Sequence, residues 1–142
     1  MLKKNIKPNQ IDRRWYIVDA SDHILGRMSS RIATVLQGKH RAYYSPQWDM
    51  GDYVVVTNAR TVKVTGRKEE KKMYHHHTGY PGGLRSETLR QKRARRPLDV
   101  IELAVKRMLP KNKLAREMIK KLKIYEGGEH PHAAQQPVEL TF

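Results

Sequence analysis

The chain has 142 residues, 29 of them Lys or Arg against 14 Asp or Glu, which gives a net charge of +15 with histidine neutral and a pI of about 10.2. That length suits one domain around a single core and excludes a large two-domain enzyme. The lack of cysteine excludes a disulfide framework, an iron–sulfur cluster, a cysteine zinc site and a thiol nucleophile.

The N-terminal residues, Met1 to Pro8, are basic and contain no apolar stretch that would serve as a signal-peptide core, so secretion is not expected. Residues 1–14 read as a basic extension, 15–126 as an α/β domain, and 127–142 as an irregular C-terminal tail. Trp15 to Asp19 is an aromatic and β-branched run that predicts a strand, and Ala20-Ser21-Asp22 after it can cap a helix. Leu25, Met28, Ile32, Val35 and Leu36 then share one helical face, closed by Gly38. Tyr53 to Thr57 is continuously apolar, the pattern of a central strand covered on both faces. Purely aliphatic runs get no longer than its Val54-Val55-Val56, far short of the ~18–20 residues that cross a bilayer. A short extended or helical piece follows at Val62 to Thr65.

Lys72 to Thr78 predicts another strand, ended by the turn cluster Gly79-Tyr80-Pro81-Gly82-Gly83. Ser86 can cap a helix running to about Arg95, and Pro97 suits the first turn of the next one. That next helix has Leu98, Ile101, Val105, Met108 and Leu109 as its apolar stripe. Pro110 stops it, and Asn112 can cap a third helix that buries Leu114, Met118, Ile119 and Leu122 and turns Lys113, Arg116, Lys120 and Lys121 outward. Lys123 to Glu126 resembles a last short strand. Strands alternating with helices predict a mostly parallel sheet covered by helices.

The positive charge is concentrated. Residues 85–123 hold 14 Lys and Arg against Glu87, Asp99, Glu102 and Glu117, a net charge of +10, whereas no Lys or Arg follows Lys123. Such a surface draws in phosphates, so the preferred partner is a polyanion. Neither phosphate-binding glycine motif, G-x-x-x-x-G-K-[ST] nor G-x-G-x-x-G, occurs, and a nucleophile elbow is absent as well. Asp49 and Asp52, on either side of Gly51, fit turn and capping roles better than an acid–base pair. In His75-His76-His77 only the first and last would share a strand face, and no nearby carboxylate or thiol completes a metal shell. These histidines, with His130 and His132, fit base stacking and phosphate donation instead.

Candidate RNA ligands are therefore Lys39, His40 and Arg41 after the first helix, Arg67 and Lys68 at a turn, and His75, His76, His77, Tyr80 and Arg85 around the glycine-rich turn. Arg93, Arg95, Arg96, Lys106, Arg107, Lys111, Lys113, Arg116, Lys120, Lys121 and Lys123 form the basic cluster, with His130 and His132 beyond it.

Several strings are specific: Trp15 to Ala20, Leu25-Gly26-Arg27, Gly38-Lys39-His40, Gly51-Asp52-Tyr53, Val64-Thr65-Gly66, His76 to Gly83, Met108 to Leu114 and Glu129 to Pro137. Together and in this order they resemble the L-thirteen family of large-subunit ribosomal proteins in its bacterial form, from about Trp15 to Pro137. The sequence departs from the family pattern at Asp22, Gln47-Trp48, Arg107 and Ala115. The resemblance implies a three-layer α/β/α fold around a four-stranded, mainly parallel sheet. It also implies binding to large-subunit ribosomal RNA beside neighbouring large-subunit ribosomal proteins, a role in early subunit assembly, and a cytoplasmic location in that subunit. No catalysis, cofactor, metal, membrane, small-molecule substrate or homo-oligomer is expected. Two alternatives come from other classes: an RNA-processing enzyme using the histidine groups as acid and base, and a general nucleic-acid-compacting protein.

Overall fold

A computed structural model of the chain describes residues 11–141. Of the expected N-terminal extension, residues 1–10 lie outside the described residues. Six strands and five helices follow: β1 (Trp15–Asp19), α1 (Leu25–Gln37), β2 (Tyr53–Thr57), α2 (Lys68–Lys71), β3 (Met73–His77), β4 (Leu84–Thr88), α3 (Leu89–Arg95), α4 (Pro97–Met108), α5 (Lys113–Lys120), β5 (Leu122–Ile124) and β6 (Val138–Glu139). The sheet runs β5-β2-β1-β6 and is parallel throughout.

Strand alternation divides the sheet's side chains. Val18, Val54, Val56 and Leu122 face the helices and join Met28, Ile32, Leu36, Ile101 and Val105 in the core. Burying each such side chain contributes roughly 1.5–3 kcal/mol. On the other face, Trp15 and Tyr53 are register partners whose rings stack 4.4 Å apart, and His132 covers Trp15 at 4.8 Å. His132 leads into a 3-10 turn at Ala133–Gln135, and the Tyr125 hydroxyl lies 2.9 Å from its Nε2. The expected three-layer arrangement around a four-stranded parallel sheet is thus present. Its second covering layer is the C-terminal segment, which is not simply an irregular tail. Residues past Gly128 recross the sheet, and β6 pairs with β1 at its edge.

Local chemistry explains most boundaries. Helix α1 ends at Gly38, whose φ of +77° is the left-handed conformation that closes a helix. There the Lys39 amide donates to Thr34 O and the Gly38 amide to Val35 O. Its start differs from expectation: residues 20–22 form a separate 3-10 turn, and Ile24 precedes the helix without a side-chain cap. The piece at 62–65 is extended and touches Ile24 through a single bridge at Lys63.

Two further readings are corrected. The strand at 73–77 does not enter the main sheet. It pairs antiparallel with 84–88, so Ser86 sits in a strand, and the cap of α3 is Thr88, in a reciprocal capping box with Gln91. In α4, Met108 is 41% exposed and falls outside the core, while Val100 is buried in its place. Pro97 and Asn112 do start α4 and α5 as expected. The β3–β4 hairpin is rooted by Tyr74, the one buried side chain on either of its strands, and its tip carries Tyr80 at 76% exposure.

Candidate nucleic-acid interface

Several of the expected RNA ligands are drawn inward by carboxylates. The loop after α1 folds back so that the fully buried Asp52 carboxylate meets the Arg41 guanidinium, His40 Nε2 at 2.8 Å and the Arg14 amide at 2.8 Å. Arg41 also donates to the Tyr43 hydroxyl and, at 2.5 Å, to Asp12 O. Burial alone would lower the Arg41 pKa, but its bonds to Asp52 and Tyr43 raise it, so the guanidinium stays charged. His40 and Arg41 therefore anchor a loop, and Lys39 is left exposed beside them.

Lys121 reverses its expected direction. It is 4% exposed, and its Nζ donates to Asp49 Oδ1 at 2.5 Å, Gly51 O at 2.9 Å and Leu36 O at 3.4 Å. The Leu36 carbonyl belongs to the last turn of α1, which has no helical amide left to satisfy it. The ammonium thus closes α1 from a distance, at the helix end where positive charge is favoured. Burial pushes the Lys121 pKa down against the raising effect of Asp49. Asp49 and Asp52 are counter-charges of buried cations, which extends the turn role expected of them.

Other candidates face outward. The groove between the hairpin, α3 and α4 brings together His75, His76, Arg85, Arg95, Arg96 and Arg107. At the α4–α5 corner a second groove gathers Lys106, Lys111, Lys113 and Arg116. A third, between the start of α1, α2 and the end of α4, is lined by Arg67, Lys68 and again Arg107. The last turn of α4 therefore joins all three, through Lys106 and Arg107. Tyr80 stands at the hairpin tip, while Lys123 sits half-buried on β5.

Ion pairing sorts these cations further. Arg93 donates to Val62 O at 2.9 Å and pairs with Glu69; Arg95 pairs with Glu87 at 2.7 Å; Lys120 pairs with Glu117 at 2.9 Å. By contrast Arg85, Arg96, Lys106, Arg107, Lys111, Lys113 and Arg116 are exposed and have no carboxylate within ion-pair distance among the described residues. Lys92, which sequence reasoning passed over, bridges Glu87 and Asp99 at 3.1 Å each. These bonds raise its pKa although burial acts to lower it. Its i,i+7 relation to Asp99 across the break at Pro97 offered no periodic signal.

The histidines form no joint centre. His75 Nδ1 lies 2.7 Å from Ser86 Oγ, His77 Nδ1 accepts from the Gly79 amide at 2.9 Å, and His130 and His132 sit on the far face of the sheet. Among the described residues no group of three or more His, Cys, Asp or Glu is placed to hold a metal. No helix among them is long and apolar enough to cross a membrane.

Comparison with known proteins identifies the family. The family model described as Ribosomal protein L13 matches residues 13–131. A relative named large ribosomal subunit protein uL13, from Legionella pneumophila (strain Corby), is 57% identical over 136 residues, covering 96% of this chain and 94% of its own. Its namesake in Aquifex aeolicus (strain VF5) is 53% identical over 135 residues, covering 95% and 94%. One from Syntrophotalea carbinolica is 56% identical over 136 residues, covering 96% of both. The resemblance drawn from the sequence strings is borne out, and the reading as an RNA-processing enzyme is not. With a family model matched over residues 13–131 and relatives more than half identical over 95–96% of its length, the chain belongs to the ribosomal protein L13 family, structural components of the ribosome and not enzymes.

Proposed function

We propose that the chain binds large-subunit ribosomal RNA, holds separate RNA segments in place within the large subunit in the cytoplasm, and supports early assembly beside neighbouring ribosomal proteins. The observation that carries this reading is the set of exposed cations without carboxylate partners, Arg85, Arg96, Lys106, Arg107, Lys111, Lys113 and Arg116. A cation with no carboxylate partner gives up no ion pair when it meets a phosphate, and each such contact releases a condensed counterion. The rigid α4–α5 frame fixes where the charges sit, which suits positioning of RNA rather than reading of its sequence.

The test is the salt dependence of binding to a large-subunit ribosomal RNA transcript. Replacing Arg96 and Arg116 together by Gln should reduce the slope of log K against log salt by about 1.4–1.8, at ~0.7–0.9 per phosphate, and leave the melting temperature unchanged. An unchanged slope would sink the reading. Arg95, already paired with Glu87, should contribute less when changed in the same way. Sedimentation of the tagged chain with the large subunit from a lysate tests the assembly.

A further inference from the structure

Of the three grooves described, the one between α1, α2 and α4 has the greatest volume and the least polar lining. Its volume is about 740 Å³, and its floor is apolar, formed by Ile24, Leu25, Val64, Ala104 and Met108. Met108 accounts for an anomaly: its spacing assigns it to the core, yet the structure leaves it on this wall at 41% exposure. A cleft of this size, apolar within and with a few polar groups converging on it, has the form of a ligand site.

Its charged lining residues are all basic: Arg67, Lys68, Lys71, Lys72 and Arg107. Two of these cations are held by one ring, with Lys72 Nζ 5.4 Å and the Arg107 guanidinium carbon 5.5 Å from the centre of Tyr74. No carboxylate among the described residues lines the groove. On α2, Glu69 is taken by Arg93, and neither Glu69 nor Glu70 is among the lining residues. Burial and the fields of Arg107 and Lys68 lower the Lys72 pKa, as expected where like charges crowd without a counter-ion.

A basic peptide is repelled by these cations, and an RNA duplex cannot reach an apolar floor with its bases paired inside. We infer that this groove receives an unstacked nucleotide of single-stranded RNA, its base on the floor against Ala104 and Met108 and the flanking phosphates on the rim. The inference rests on the proposed RNA-binding function and names a subsite within it. Flat bases bind apolar and sulfur-bearing surfaces without regard to sequence, while the rim cations supply the charge.

Gly26 provides a selective perturbation. It lines the groove in the first turn of α1, and a Cβ there would meet nothing within 4 Å. Gly26→Leu therefore obstructs the floor without changing any charge and favours the helix. The probe is a single-stranded purine RNA of about a dozen nucleotides carrying one 2-aminopurine, compared with the same sequence in a duplex. The full-length wild-type protein should alter the 2-aminopurine emission. Gly26→Leu should lose that signal and bind the single strand about tenfold more weakly, with duplex affinity and salt slope unchanged. Gly26→Ala should behave as wild type. Arg67→Gln with Lys71→Gln should instead flatten the salt slope.

Should Gly26→Leu fail to melt cooperatively, Met108→Ser, at an exposed position, must weaken single-strand binding by itself. Equal binding by wild type and both groove variants would overturn the inference, as would equal losses on duplex and single strand. A cross-linker on Met108→Cys that captures a protein neighbour rather than RNA in purified large subunits would also overturn it. If the wild type bound ribosomal RNA and these variants changed nothing, only the subsite would fall; if the wild type bound no RNA, the broader function would fall with it.

Discussion

Replacing Lys121 by Met separates a structural lysine from an RNA-binding one. The side chain keeps its length but loses the ammonium, leaving Asp49 Oδ1 and the Leu36 and Gly51 carbonyls without the donor now 2.5, 3.4 and 2.9 Å away. Removing one member of a buried pair costs about 3–5 kcal/mol, because the other charge stays behind uncompensated. For a domain of this size that corresponds to a melting temperature lower by roughly 10–20 °C. Arg13, 3.8 Å from Asp49 and 40% exposed, offers only weak replacement. Thermal and urea unfolding of the free protein, followed by circular dichroism, measure the loss. Adding Asp49→Leu to Lys121→Met should recover part of it, though not all, since both carbonyls remain unpaired. A melting temperature within about 2 °C of wild type, accompanied by weaker RNA binding, would refute the argument and return Lys121 to the RNA surface.

Tyr80→Ala should leave stability unchanged, since the ring is exposed at the hairpin tip, and weaken binding to ribosomal RNA by ~1–3 kcal/mol if it stacks on an unpaired base; filter binding and a melting curve on the same variant check both. Gly51→Ala would place a Cβ 1.7 Å from Leu36 O and 2.8 Å from Lys121 Nζ, so the end of α1 must move, and we expect a loss of about 1–3 kcal/mol or more in urea unfolding. Burial acts to raise the Asp19 pKa, but hydrogen bonds from the Ser21 amide and from Asn58 outweigh it and hold the carboxyl below its usual 3.8. A depressed folded pKa contributes stability above the unfolded value and loses it as pH falls through the folded one. The stability gap between wild type and Asp19→Asn should therefore be full near neutral pH and close as the solution is acidified below 3.8, which urea titrations at a series of pH values will show.

The sequence by itself determined what depends on near neighbours. The stripe from Leu25 to Leu36, the left-handed Gly38, Pro97 at a helix start and Asn112 as a cap all act within a turn or two of chain, where periodicity and side-chain-to-backbone bonds are visible in the string. The excess of Lys and Arg over residues 85–123 was equally legible, because net charge is a sum and needs no coordinates.

What the tertiary structure decided is which of those charges remain available. Lys120 and Lys121 are adjacent and chemically alike, yet one pairs with Glu117 at the surface and the other with Asp49, 72 positions away. No local pattern distinguishes them, since a helix end turns neighbouring side chains toward different surroundings. The same holds for Arg95 beside Arg96, for Met108 on a groove wall, and for residues 138–139, whose strand exists only because β1 presents an open edge for them to pair with. Pairing and burial are relations between distant segments, so they become definite only when the chain closes on itself.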